Sequence, residues 1–123
     1  YPKQEAEVVR LGAHCDATLL TLLWSDAPGL EVLDDRTVQG WTPRDVMAYG
    51  LPSMTGAPKL LKEEQWAQVD MPEGCLLMTV GTAWMGCAEE AKLPAAQSAV
   101  LHRVVTLRGA ERVSLPFLVD RVA

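Results

Sequence analysis

Seven short runs of apolar and β-branched residues, separated by glycine, proline and aspartate, constrain the fold of this chain more than any other feature. Runs of about four to eight such residues between turn-forming residues are typical of strands in sandwiches and barrels. The predicted strands are Glu7–Leu11, Ala17–Trp24, Gly29–Leu33, Trp66–Val69, Cys75–Val80, Ser98–Thr106 and Arg112–Val119. We therefore predict a mainly β fold in one domain, either a small barrel or a double sheet.

The segment between Asp34 and Gln65 interrupts this pattern. Thr42-Pro43-Arg44-Asp45 is typical of a helix N-terminus, with a threonine cap and a proline in the first turn, and Gly50 is suited to end that helix. A second short helix is predicted over Lys59–Gln65. We interpret the stretch of about residues 36–65 as a short helical insertion into the barrel.

The charge and the apolar content of the chain argue against nucleic-acid and membrane partners. The 123 residues include 11 basic and 16 acidic side chains, a net charge of -5, and no basic run, which argues against a nucleic-acid partner. No apolar stretch approaches the roughly 18 residues of a transmembrane helix, and the first residues lack the apolar core of a secretion signal. We expect a soluble, cytoplasmic protein with no membrane partner. Cys15, Cys75 and Cys87 form no close-spaced pair, so neither a disulfide framework nor a zinc knuckle is expected.

The segment around His14 and Asp16 contains the most informative motif. Side chains two apart on a strand point to the same face, so these two groups can hold one ion. The only other histidine, His102, lies in another strand-like apolar run, where a buried imidazole needs a partner. Two histidines and one carboxylate leave adjacent coordination positions open, as in non-haem iron(II) oxygenases.

Arg112 and Ser114 share one face of the last predicted strand, whereas Val113, Leu115 and Phe117 lie on the other. If the apolar face packs against an outer layer, Arg112 points into the barrel. A buried guanidinium needs an anionic mate, and a carboxylate suits its geometry. The pattern predicts an acidic small ligand beside the metal.

Together these motifs resemble the isopenicillin N synthase-like branch of the iron(II)/2-oxoglutarate-dependent dioxygenases. The resemblance covers most of the chain and keeps the family's order. It is carried by Tyr1-Pro2, His14-x-Asp16, Leu20-Thr21-Leu22-Leu23, Gly29-Leu30-Glu31-Val32, Trp66-x-x-Val69, His102-Arg103-Val104 and Glu111-Arg112-Val113-Ser114-Leu115-Pro116-Phe117.

The resemblance implies a double-stranded β-helix, which is a jelly-roll or cupin-like barrel. The implied ligands of iron(II) are His14, Asp16 and His102. It implies that Arg112 and Ser114 bind the distal carboxylate of 2-oxoglutarate, with a further hydrogen bond from Tyr1, and it implies no catalytic residue beyond the metal ligands. The implied activity is hydroxylation or desaturation of a small organic substrate, with decarboxylation of 2-oxoglutarate to succinate, and ascorbate is a further candidate cofactor.

The chain also departs from the family pattern. Between Asp16 and His102 lie 85 residues, more than is usual in the family, and the surplus falls between Asp35 and Trp66. Family members have a helical N-terminal region ahead of the tyrosine-proline, which residues 1–123 lack. The sequence is then either a fragment or a minimal form, and we expect the barrel to be covered by Arg36–Gln65, by a protein partner or by an N-terminal region that residues 1–123 do not include.

Two other interpretations stay open. In one, the chain is a catalytically impaired barrel that acts as a binding or assembly module. In the other, it is a metal-dependent enzyme that uses a different co-substrate. The competing structural interpretations are a hydrogen-bonded surface pair for His14 and Asp16, a satisfied core histidine for His102, and a solvated rim charge for Arg112.

Overall fold

The structure is a computed structural model that describes residues 6, 8–33, 65–92 and 99–122. Within these residues the chain forms β1 (Val8–His14), β2 (Leu20–Ser25), β3 (Leu30–Leu33), β4 (Trp66–Gln68), β5 (Leu77–Val80), α1 (Thr82–Glu90), β6 (His102–Thr106) and β7 (Ser114–Val119). Each predicted strand is present, with shifted ends. Residues 34–64 lie outside the described residues, and so does Tyr1. The helix predicted from Thr42 falls on this stretch, as does all of the helix predicted over Lys59–Gln65 except its last residue.

The strands form two antiparallel sheets. One has the order β1-β6-β3-β4 and the other the order β5-β2-β7. The chain passes from one sheet to the other between β1 and β2 and between β2 and β3. It does so again between β4 and β5, between β5 and β6, and between β6 and β7. This confirms the mainly β prediction, and the arrangement is consistent with a double-stranded β-helix.

The hydrophobic core lies along β6 and β3. Val104 and Val105 are neighbours on β6 and therefore point to opposite sides of the sheet, yet both are buried. Leu30 and Leu33 at the two ends of β3 are buried as well. The four-stranded sheet is thus covered on both sides along β6, which fixes the strand that begins with His102.

The three-stranded sheet has an exposed apolar side, which we term the outer apolar face. It is formed by Leu22, Trp24, Met78, Leu115 and Phe117, whose neighbours in the strands face the space between the sheets. Met78 is 61% exposed and Phe117 is 57% exposed. Among the described residues no outer layer packs against the apolar side of β7, unlike the arrangement on which the sequence argument depended.

Helix α1 was not predicted. It follows β5 after a single residue, Gly81, and contains Trp84 and the exposed Gly86. A glycine within a helix lowers its intrinsic stability, and the segment shows little apolar periodicity, so its sequence does not indicate a helix. In the described part of the chain no helix is long and apolar enough to cross a membrane.

Candidate metal centre

His14 and His102 face each other across two adjacent strands. His14 is the last residue of β1 and pairs with His102, the first residue of β6. The register shifts by one residue between Val9 and Leu11 and again before His14. Without these two shifts, pairing continued from Val9 and its partner on β6 would place Gly12 opposite His102. The irregular pairing of β1 therefore brings the imidazoles together, with ring centroids 4.3 Å apart.

Both imidazoles are oriented by the chain just before them. His14 Nδ1 lies 2.8 Å from the Gly12 carbonyl oxygen, and His102 Nδ1 lies 3.0 Å from that of Val100. A carbonyl oxygen only accepts hydrogen bonds, so Nδ1 donates in each ring. The lone pair of a neutral ring is then on Nε2, and this is the usual way in which a backbone carbonyl sets the tautomer of a metal-binding histidine.

Asp16 completes the cluster from a loop and not from a strand. β1 ends at His14, so Asp16 does not lie on this strand. The prediction that the two side chains share one strand face is therefore wrong. Asp16 Oδ1 nevertheless lies 3.6 Å from His14 Nε2 and 3.7 Å from His102 Nε2. The turn after β1 brings the carboxylate back towards both rings.

The three side chains fit a divalent ion. One potential ligand atom from each of His14, Asp16 and His102 lies within 4.8 Å of the other two. Two atoms that each lie about 2.1 Å from one ion are at most about 4.2 Å apart, so the two carboxylate–imidazole distances suit a shared ion and are too long for direct hydrogen bonds. Imidazole nitrogen and carboxylate oxygen are also the donor types found in non-haem iron(II) sites.

A second group of contacts holds Asp16 in place. The Thr21 hydroxyl donates a hydrogen bond to Asp16 Oδ2, and the Thr82 N–H donates to the Asp16 carbonyl oxygen over 2.8 Å. Gly81 is buried between these segments, and a Cβ added there would lie 2.7 Å from the same carbonyl oxygen. The start of α1 thus closes against the loop that contains Asp16.

Burial shifts the pKa values of His102 and Cys15, two titratable groups near the Asp16 carboxylate. Burial lowers the pKa of His102 below its usual value of 6.5, although the hydrogen bond to Val100 opposes this shift. His102 is therefore neutral at neutral pH and able to ligate. Burial, assisted by the negative charge of Asp16, raises the pKa of Cys15 to about 12. Its thiol stays protonated and makes a weak hydrogen bond to the Ala99 carbonyl oxygen.

Arg112 and Ser114 line the same cavity as the histidine–aspartate cluster. The cavity lies between the two sheets and has a volume of about 210 Å³. Arg112 is only 2% exposed, so it is not a solvated rim charge. Its Nη1 donates to Ser114 Oγ over 3.0 Å, and its Nε donates to the Ala27 carbonyl oxygen over 3.2 Å.

The walls of this cavity are mainly apolar. Its other lining residues are Leu11, Thr21, Leu23, Leu30, Val32, Thr79, Val104, Pro116 and Leu118. The structure thus brings together five of the six residues that the sequence singled out. The sixth, Tyr1, lies outside the described residues, so its contact with a co-substrate stays a prediction.

Sequence reasoning missed the groups that orient the cluster. Thr21 was noted only as part of an apolar strand motif, although a lone hydroxyl in such a run is itself a signal that it has a partner. The carbonyl groups of Gly12 and Val100 were not considered. Each of these carbonyl groups lies two residues before a histidine. This shared spacing marks them as hydrogen-bond acceptors once both imidazoles are known to face the same cluster.

Comparison with known proteins agrees with this geometry. The family model of the 2OG-Fe(II) oxygenase superfamily matches residues 1–121, nearly the whole chain. No curated protein matches the chain. This family uses iron(II) and 2-oxoglutarate, and the cluster of His14, Asp16 and His102 is a candidate site for its metal. The chain therefore belongs to the 2OG-Fe(II) oxygenase superfamily.

Proposed function

We propose that this chain is the catalytic barrel of an iron(II)- and 2-oxoglutarate-dependent dioxygenase that hydroxylates or desaturates a small organic substrate. The observation that carries the proposal is the shared cavity. A histidine–aspartate–histidine cluster and a buried arginine–serine pair line one space between the sheets. The motifs in Arg112–Phe117 and around His14 favour the isopenicillin N synthase-like branch within the superfamily.

The three ligands have separate tasks. His14 and His102 present Nε2 atoms whose direction is set by backbone hydrogen bonds, and Asp16 supplies one negative charge that partly neutralises the ion. Within the described residues three side chains are offered as ligands, which leaves positions on the ion open for co-substrate and dioxygen. Bound iron(II) would supply the reductive activation of dioxygen, coupled to oxidation of 2-oxoglutarate to succinate and carbon dioxide.

Arg112 is suited to hold the distal carboxylate of 2-oxoglutarate. Its guanidinium is permanently charged, is buried in the cavity wall and is kept in place by Ala27 and Ser114. In such a position a charge favours an anionic partner, and the planar guanidinium matches a carboxylate. The apolar side chains around it keep water from the reacting groups.

A binding or assembly module without turnover is the second candidate. The outer apolar face supports it, since an exposed apolar surface of this kind often marks a protein–protein contact. In both cases we propose a cytoplasmic protein whose barrel can contact a partner. Only the dioxygenase consumes 2-oxoglutarate.

The first experiment separates these functions. The chain is titrated with manganese(II), a redox-quiet substitute for iron(II), and then assayed for succinate release with iron(II), 2-oxoglutarate and ascorbate. We expect one manganese(II) per chain, at least tenfold weaker binding by Asp16→Ala, and succinate formation that this variant lacks. Equal metal binding by the wild type and by Asp16→Ala would contradict the metal site. Metal binding without succinate release would favour the binding module or an enzyme that uses a different co-substrate.

A further inference from the structure

Thr21 lies at a well-fixed point of the sheet. It is in β2, the central strand of the three-stranded sheet, where it pairs with Thr79 on one side and Leu118 on the other. Its side chain is 5% exposed and lines the cavity that contains the cluster. A hydroxyl at this point has little freedom to move.

The hydroxyl of Thr21 contacts one oxygen of Asp16, and the imidazoles lie near the other. Thr21 Oγ1 donates to Oδ2, whereas both Nε2 atoms lie within 3.7 Å of Oδ1. The backbone contacts of Asp16 hold its Cα but leave rotation of the carboxylate unconstrained. The hydrogen bond from Thr21 makes the two Asp16 oxygens different, because it is donated to Oδ2 and not to Oδ1.

We propose, on the basis of the function proposed above, that Thr21 is a positioning residue for Asp16. It holds Oδ2 away from the ion, so that Asp16 contributes Oδ1 alone. A carboxylate released from this hydrogen bond can rotate, so that Oδ1 is no longer held beside the two Nε2 atoms and the ion loses a ligand atom in a fixed position. Thr21 therefore affects metal affinity without touching the ion.

The test compares variants that differ in a single hydroxyl. Thr21→Val is nearly isosteric and removes the donor, and Thr21→Ser retains it. Thr106→Val is the matched control, because Thr106 is 1% exposed and its hydroxyl has no hydrogen-bond partner within the described residues. Manganese(II) affinity and the electron paramagnetic resonance spectrum of the bound ion are measured, together with the melting temperature.

We expect Thr21→Val to weaken manganese(II) binding about 10- to 100-fold and to alter the spectrum, whereas Thr21→Ser and Thr106→Val resemble the wild type. If Thr21→Val does not fold, Thr21→Ala and Thr21→Ser are compared, since these also differ in the hydroxyl. If the variant without the hydroxyl keeps the wild-type manganese(II) affinity and spectrum while Asp16→Ala has lost the metal, the role of Thr21 is wrong. The proposed function is then unaffected. Equal binding by Asp16→Ala and the wild type would overturn the proposed function as well.

Discussion

Arg112 shows how one residue joins two parts of the cavity wall. It precedes β7, yet its side chain reaches the Ala27 carbonyl oxygen in the turn before β3. Gly29, in the same turn, has a φ of 128°, and a Cβ there would lie 3.3 Å from Arg112 Cδ. A glycine is needed here because of the positive φ and because a Cβ would overlap the Val105 carbonyl oxygen, whereas the arginine stem would have to move only slightly.

Substitution of Arg112 should separate co-substrate binding from metal binding. Arg112→Leu removes hydrogen bonds that are worth about 1.5–3 kcal/mol each when one partner is charged, so 2-oxoglutarate should bind at least about tenfold more weakly. Manganese(II) affinity should change much less, because Arg112 is not one of the three potential ligands. Both affinities are measured by calorimetry, the second with the metal alone.

Arg112→Lys is the control that keeps the charge. A lysine cannot reproduce the two parallel hydrogen bonds of a guanidinium, so an intermediate affinity for 2-oxoglutarate is expected. Unchanged 2-oxoglutarate affinity in a folded Arg112→Leu variant would show that the co-substrate assignment is wrong.

At the scale of elements, the junction between β5 and α1 acts as a brace for the loop that contains Asp16. Gly81 N–H donates to the Leu19 carbonyl oxygen over 2.9 Å, and the next N–H, of Thr82, bonds Asp16. The two peptide groups therefore hold both ends of the turn between β1 and β2. Only glycine fits here, because any side chain would meet the carbonyl oxygens of Thr18 and Asp16.

Gly81→Ala should damage both the fold and the site. The added methyl group meets backbone atoms that cannot move aside, so we expect a loss of about 1–3 kcal/mol in the free energy of unfolding. The displaced Asp16 should also weaken manganese(II) binding. Denaturant unfolding and metal titration measure the two effects.

Gly86→Ala in α1 is the matched control. Its Cβ would meet nothing within 4 Å, so replacing a helical glycine should raise the free energy of unfolding by about 0.5–1 kcal/mol and leave the metal affinity unchanged. If Gly81→Ala behaved like Gly86→Ala, the proposed brace would be refuted.

For the molecule as a whole, the two sheets differ in how they are covered. The four-stranded sheet is buried on both sides along β6. The outer apolar face of the three-stranded sheet is uncovered by the part of the chain that the structure describes, and its exposed side chains come from all three strands. Apolar surface of this kind favours self-association or a partner.

The outer apolar face should bind an apolar dye. The double variant Leu115→Thr/Phe117→Thr should lower dye fluorescence and self-association, and it should change the free energy of unfolding by no more than about 1 kcal/mol, since both side chains are more than half exposed. Fluorescence, sedimentation velocity and thermal melting give the three readings.

Val9→Thr is the comparison, because Val9 is 51% exposed but lies in the other sheet. It should leave dye binding nearly unchanged. A large fall in the melting temperature of the double variant would indicate that Leu115 and Phe117 are buried.

The sequence by itself determined the strand content and the identity of the cluster. Alternating side chains and turn residues are local signals, so each predicted strand is present, although its ends differ. With two histidines in the chain, His14 and His102 were the available imidazoles. Their motifs pointed to one branch of the superfamily that the match over residues 1–121 shows, and the match shows the superfamily but not the branch.

Only the tertiary structure decided how the cluster is assembled. The two register shifts in β1 depend on pairing with β6, and Asp16 reaches the imidazoles from a loop held by Thr82. The contact between Thr21 and Asp16 is likewise set by the turn between β1 and β2. Such features arise from contacts between segments far apart in the chain or from the path of a loop, neither of which is encoded in strand periodicity.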